Sequence, residues 1–266
     1  MTIRKHFLTL LFAILCPVVA QAGDTTETHI AVSGSLPVLL TVPHDGEWLP
    51  DTLPIRTKGV MVRDLNTRRL AEALAARLEE QTGKRPYLLI ACLSRKVLDV
   101  NRSPAEATEA AEALPAYRAY HAQLAQFVAD IRQRFPQGGL LLDIHGQGHE
   151  AGMIFRGTQA GLTTQALIER HGPQAIQGRT SLSGQLAARG YRVSPPIDAP
   201  SLHESRYAGG YTVISYGSHR PDGIDAIQLE FGRDLRSSPR LPQDLAASLI
   251  AFLHDYGFME VYPAKP

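Results

Sequence analysis

Cysteine is scarce in this sequence. Two occur in 266 residues, Cys16 and Cys92. Cys16 lies in an N-terminal leader-like stretch, so only Cys92 would remain once that stretch is removed. An intramolecular disulfide is then excluded. A chain of this length does not need one, because it can bury a large core without cross-links. Cys92 sits in the apolar run "YLLIACLS", which suits a buried small hydrophobe better than a nucleophile. Long hydrophobic runs are also missing. The longest, Phe7 to Ala20, is too short for a comfortable membrane span, and nothing later resembles one. Internal repeats and low-complexity tracts are absent, as is a strong charge of either sign.

The start "MTIRKHFLTLLFAILCPVVAQA" combines a basic beginning at Arg4 and Lys5, an apolar run and a small-x-small ending, Ala20-Gln21-Ala22. This is the pattern of a signal peptide over residues 1–22, and it implies export to the periplasm or beyond. Removal leaves 25 basic and 26 acidic side chains, a formal net charge of −1. Such a chain has no general attraction to nucleic acid or anionic lipid. Any anion must be caught by a local cluster.

Residues 23–266 read as a single α/β domain. Apolar runs of strand length, "LPVLLTV", "RPYLLIACLS", "LLLDIHG" and "GIDAIQLEFG", alternate with amphipathic stretches of helical period. One such stretch is "DLNTRRLAEALAARLEEQTG", with Leu65, Leu70, Leu74 and Leu78 on one side. Others are "LPAYRAYHAQLAQFVADIRQRFPQGG", "TSLSGQLAARGYRV" and the C-terminal "LPQDLAASLIAFLHDYGF". Strands apolar throughout, separated by helices, predict a mostly parallel or mixed central sheet with helices on both faces. In such sheets ligands bind at the carboxyl ends of strands.

Four polar clusters fall at or just after those ends: "PHDGE", "DVNR", "DIHG" and "QLEFGR". Each is weak alone, since a histidine after a strand is usually structural. Together they supply a metal set. His44 and Glu47 have the H-x-x-E spacing on one turn, and His145 adds a third ligand from another strand. Two His and one Glu form a common catalytic zinc set, with a fourth position left for water. Glu230, at the end of the late strand, is placed to act as a general base outside the ligand set. Asp99 and Asp143 are candidates for the carboxylates that fix the imidazole tautomers. Asp143 and His145, two apart on a strand, share a face.

The segments "VPHDGEWLP", "SRKVLDVNRSP", "LLLDIHGQG" and "GGYT…IQLEFGRDLR" resemble the N-formylglutamate amidohydrolase family, whose fold is similar to that of zinc carboxypeptidases. The resemblance runs from about Pro43 to Arg236. It implies one zinc per chain held by His44, Glu47 and His145, with Glu230 as general base and Asp99 behind a zinc histidine. It also implies that Asn101 and Arg102 hold a substrate carboxylate. A planar guanidinium suits that task, and the Asn adds a donor. The implied activity is hydrolysis of an amide beside a free carboxylate, in an N-acyl amino acid or a short peptide. A metallocarboxypeptidase, or an exported zinc- or ligand-binding protein without activity, are the other readings.

Blander roles stand beside these. Arg102 can form a structural ion pair with Asp99, and Glu230 with Arg233. Tyr211 can donate to an oxyanion or simply pack. Arg63 and Arg95 are further candidates for an anionic substrate, though surface roles suit each alone. Trp48 can be a pocket wall or a core lid.

Overall fold

The structure is a computed structural model, and it describes residues 24–26 and 28–259. The leader predicted over residues 1–22 lies outside the described residues. The strands are β1 (Asp24–Thr26), β2 (His29–Val32), β3 (Val38–Val42), β4 (Tyr87–Ala91), β5 (Leu140–Gln147), β6 (Met153–Gly157), β7 (Arg192–Ser194) and β8 (Asp225–Gly232). The helices are α1 (Thr67–Thr82), α2 (Pro104–Ala107), α3 (Leu114–Arg134), α4 (Gln165–His171), α5 (Gln174–Gln177), α6 (Leu182–Ala188), α7 (Tyr211–Tyr216), α8 (Arg233–Arg236) and α9 (Leu241–Asp255).

The strands form one mixed sheet in the order β1-β2-β4-β3-β5-β8-β6-β7. The four central strands β4, β3, β5 and β8 are mutually parallel. These are the four runs expected from the sequence. Antiparallel pairs flank them, β2 on β4 and β6 on β8.

Side chains alternate between two cores, as a strand period of two requires. Val38, Leu40 and Val42 of β3, with Leu140, Leu142 and Ile144 of β5, face a core built with α1, α6 and α9. Leu39, Leu141 and Ala226 face the other, built with α3 and α7. Helices therefore cover both faces, and each central strand is buried along its length.

Helix α1 starts at Thr67, later than its leucine spacing suggests. Leu70, Leu74 and Leu78 are buried, but Leu65 is 56% exposed and precedes the helix. The cause is the link before it. Thr67 Oγ1 donates to the Asp64 carbonyl at 2.8 Å, and the Asp64 amide donates to the His44 carbonyl at 3.0 Å. Residue 64 is thereby held against the end of β3 instead of entering the helix. The stretch "TSLSGQLAARGYRV" also divides: it gives α6 and then strand β7.

Candidate active site and metal centre

The parallel strands end on one edge of the sheet, and the polar groups meet there. Asp143 and His145 follow the side-chain parity of Leu141 on β5, and Gln228 and Glu230 follow that of Ala226 on β8. His145 and Glu230 are register partners across the two strands. His44 follows the end of β3. All five are buried.

His44 Nδ1 and His145 Nδ1 are 3.1 Å apart. Asp64 Oδ2 is 3.3 Å from each. This buried trio has its donor atoms within 4.8 Å of one another and could hold a metal ion. The far side of each ring explains why. His44 Nε2 lies 2.7 Å from Asp99 Oδ1, and His145 Nε2 lies 2.8 Å from Asp143 Oδ2. A carboxylate only accepts, so each Nε2 carries the hydrogen. Each neutral ring then presents a lone pair at Nδ1. Two lone pairs and a carboxylate oxygen facing one another, buried, require a cation between them. The donor chemistry thus fits a metal.

The electrostatics agree. Burial alone would raise the Asp64 carboxyl, but the hydrogen bonds and charges of His145 and His44 hold it far below the usual carboxylate range. Asp99 behaves likewise, with His44 and Arg95 overcoming burial. Burial alone would discharge His145, yet Asp143 and Asp64 raise it well above the ordinary histidine value.

The carboxylate of the cluster is therefore Asp64, where the H-x-x-E spacing points to Glu47. Glu47 projects outward with its side chain 74% exposed and pairs with Arg63. Asp45, its neighbour, is buried. It accepts from Arg63 Nε at 2.6 Å and from the Arg68 amide at 2.8 Å, fixing the turn after His44. Asp64 carries no spacing signal relative to either histidine. It reads from sequence as an acidic residue at a helix start.

Glu230 lies outside the trio but lines the same cavity, about 430 Å³ in volume, with His44, Asp64 and His145. Its Oε1 accepts from Gln228 Nε2 at 2.9 Å, and Gln228 Oε1 accepts from the Gly210 amide at 2.6 Å. Burial lifts the Glu230 carboxyl above its ordinary value. The imidazoles of His145 and His44 oppose the lift, and the Asp64 and Asp143 carboxylates add to it. No ion pair joins Glu230 to Arg233, whose Nε sits 3.3 Å from Asp234.

Asp99 and Asp143 both stand behind the histidines. Asp99 pairs with Arg95 at 2.9 Å, and no ion pair joins it to Arg102. Asn101 and Arg102 both line the cavity. Asn101 is committed through its Oδ1, which accepts from the Thr212 amide at 2.7 Å, while its Nδ2 lies 3.1 Å from His145 Nε2. Arg102 donates Nη1 to the Asn101 carbonyl at 3.0 Å and has no carboxylate partner among the described residues. Arg63 is held by Asp45 and Glu47. Trp48 is 40% exposed, makes a bridge to Leu93 and does not line the cavity.

Tyr211 does not line this cavity. It packs edge-on to His121, with ring centroids 5.7 Å apart, close to Tyr117. Tyr117 in turn donates to the Arg102 carbonyl at 2.9 Å. Tyr207 is the tyrosine of the cavity wall. Its ring meets Phe155 at 5.1 Å, and its φ of 57° is left-handed, a strained value for a bulky residue. The loop around it is pinned by a buried pair. Glu204 accepts from Arg156 Nη2 at 3.1 Å and from the amides of Thr158 and Ala160 at 3.0 and 2.8 Å. Gly157 lets the loop approach, since a Cβ there would lie 2.4 Å from the Tyr207 carbonyl oxygen.

Residues 108–236, the stretch that holds Asp143, His145 and Glu230, match the sequence model of the N-formylglutamate amidohydrolase family. Over this stretch, just under half of its length, the chain is similar to that family. Two solved structures share the fold. A crystal structure of N-formylglutamate amidohydrolase from Ralstonia eutropha JMP134 superposes with a TM-score of 0.56 at 18% identity, covering 88% of this chain and 98% of that one. A gene product of Agrobacterium tumefaciens superposes with a TM-score of 0.58 at 15% identity, covering 86% and 93%. No curated protein sequence matches. The family supports hydrolase activity. His44, Asp64 and the 99–102 segment lie before the matched stretch, so their placement at the site rests on the structure.

Proposed function

We propose that this chain is a zinc-dependent amidohydrolase, with one zinc per chain, that cleaves an amide bond beside a free carboxylate. The observation that carries the reading is Glu230. It is a buried carboxyl with a raised pKa, it shares a cavity with the His44–Asp64–His145 set, and it is not a member of that set. A protein that merely stores metal has no use for such a group.

Zinc is supported by the donor types and their spacing. Separations of 3.1 to 3.3 Å match the edge of about 3.3 Å expected between N and O ligands arranged tetrahedrally around zinc. When bound, zinc supplies a polarised amide carbonyl and a water that is acidic near neutral pH. The chain's own residues do the rest. Glu230 takes a proton from the attacking water and delivers it to the amide nitrogen as the C–N bond breaks. The products are a carboxylic acid and an amine. Gln228 holds Glu230 Oε1, which leaves the other oxygen for this role. Asp99 and Asp143 keep each imidazole in the tautomer that presents Nδ1. Arg102 holds the substrate carboxylate through its planar fork.

The leader-like start adds export to this reading, which puts the enzyme in the periplasm or outside the cell. Mass spectrometry of the mature N-terminus tests that part, and an intact Met1 on cytoplasmic protein would contradict it. For the activity, purified protein is assayed against N-acyl amino acids and dipeptides before and after chelation. Hydrolysis that stops on chelation and returns with zinc supports the reading. Hydrolysis that persists after the metal is gone would contradict it. Preference for dipeptides would favour a metallocarboxypeptidase, which makes the same use of Arg102.

A further inference from the structure

Six of the eight exposed large hydrophobic side chains among the described residues fall between Trp48 and Leu65. Scattered single cases are ordinary on a protein surface, but a concentration beside a cleft is not. Two of the six, Val60 and Val62, line the cavity of the metal cluster, and they are 49% and 73% exposed. Their stretch has no regular secondary structure, yet its backbone is tied down. Buried Arg56 donates to the carbonyls of Lys58 and Arg95 at 3.1 and 3.0 Å, and reaches the Val60 carbonyl at 3.4 Å. Arg95 Nη1 reaches the Val62 carbonyl at 3.4 Å. Two exposed valines are thus held at the mouth by buried cations, an arrangement with no use in packing the core.

The charges of the cavity are as informative. Its arginines, among the described residues, are Arg95 and Arg102. Arg95 is committed to Asp99 at 2.9 Å, with Asp64 at 3.7 Å. Arg102 alone is open to a carboxylate. It also lines a smaller depression with Arg56, Lys58 and Gly59, so the valine stretch and the open guanidinium lie on the same side. A substrate carboxylate on Arg102 therefore places the group next to it over Val60 and Val62. A second carboxylate over the valines would meet methyl groups, because the cations of the adjoining depression, Arg56 and Lys58, do not line this cavity, and it would lose water without compensation.

We infer that Val60 and Val62 form an apolar subsite beside Arg102, and that the protein selects amides of a monocarboxylic amino acid with an apolar side chain over amides of glutamate. This rests on the amidohydrolase reading for the use of Arg102. It departs from the substrate in the family's name.

Two measurements test it. Binding of N-formyl-leucine and N-formylglutamate to zinc-loaded Glu230→Gln protein is measured by calorimetry. Hydrolysis of formyl, acetyl and alanyl derivatives of leucine and of glutamate is measured on zinc-loaded wild type. Leucine compounds should be preferred by roughly tenfold or more, the scale of hydrophobic-pocket discrimination. The V60S/V62S double variant, changed only at exposed positions, should bring the ratio close to one while keeping the fold. Equal or tighter binding of the glutamate compound, or a ratio unmoved by the double variant, overturns the inference; turnover of the glutamate derivatives would then leave the amidohydrolase reading standing. A leucine preference in binding with no derivative hydrolysed upholds the subsite and removes the proposed activity.

Discussion

Half of this site is carried by strands and half by loops, and the two halves are fixed in different ways. Asp143, His145, Gln228 and Glu230 sit on β5 and β8, where the ladder sets their register. Asp64, Asp99, Arg102 and Tyr207 sit on irregular backbone. Each of those segments is held by buried side chains that grip main-chain atoms: Arg56 and Arg95 on one side, Glu204 on the other. A loop can therefore place an oxygen of a candidate metal set as well as a strand places a nitrogen, provided that polar tethers replace the ladder.

The largest effect should come from the strand half. Glu230→Gln should keep fold and metal and lower turnover by about 10² to 10⁴, the usual scale for a general base. Steady-state kinetics with metal analysis on the same sample checks this, and near-normal turnover would remove Glu230 from the chemistry. The loop half should fail differently. Glu204→Gln leaves Arg156 buried without its counter-charge, which typically costs about 3 to 5 kcal/mol. The variant should melt much earlier and show a raised KM through the Tyr207 wall, with the metal cluster intact. An unchanged melting temperature would mean that the loop is not held by this pair.

A weaker effect is expected where a loop acts through a ligand. Asp99→Asn should lower metal affinity by roughly 10- to 100-fold, as loss of a carboxylate behind a metal histidine does. Competition with a calibrated chelator measures it.

The smallest effect is a pH dependence of the metal-stripped protein. His145 is raised in the folded state, so its contribution is fully present below its unfolded value of 6.5 and is lost as pH rises through the folded value. Asp64 and Asp99 are lowered, so theirs is present above 3.8 and lost as pH falls through their folded values. Stripped protein should thus resist urea better near pH 6 than near pH 9. Metal-loaded protein should lose that slope, because the metal holds the Nδ1 atoms at both values. A slope that survives loading would show that His145 titrates independently of the metal.

The same division decided what the sequence could reveal. The four parallel strands were legible because buried strands are apolar throughout, and His44, His145 and Glu230 were legible because they end those strands. Asp99 and Asp143 followed from the need of a metal imidazole for a carboxylate. Glu47 comes from local spacing, and local spacing is where the reading parts from the structure; of the two roles open to Tyr211, the structure shows packing. The turn after His44 points Glu47 outward because Asp45 takes the inward position with Arg63 and Arg68. Asp64 comes in from twenty residues away through contacts that leave no periodic trace. Tyr207 was hidden for the same reason, since its position depends on the non-local Arg156–Glu204 pair. The short strands β6 and β7 lacked the long apolar runs that mark the centre.

The central claim is that the loop residue Asp64 completes a metal set begun by two strand-end histidines. Zinc content per chain, measured side by side on Asp64→Asn and Glu47→Gln proteins, tests it most directly. Asp64→Asn should lose its zinc under conditions where Glu47→Gln keeps about one per chain, as a three-ligand site predicts. Zinc retained by Asp64→Asn and lost from Glu47→Gln would contradict the account.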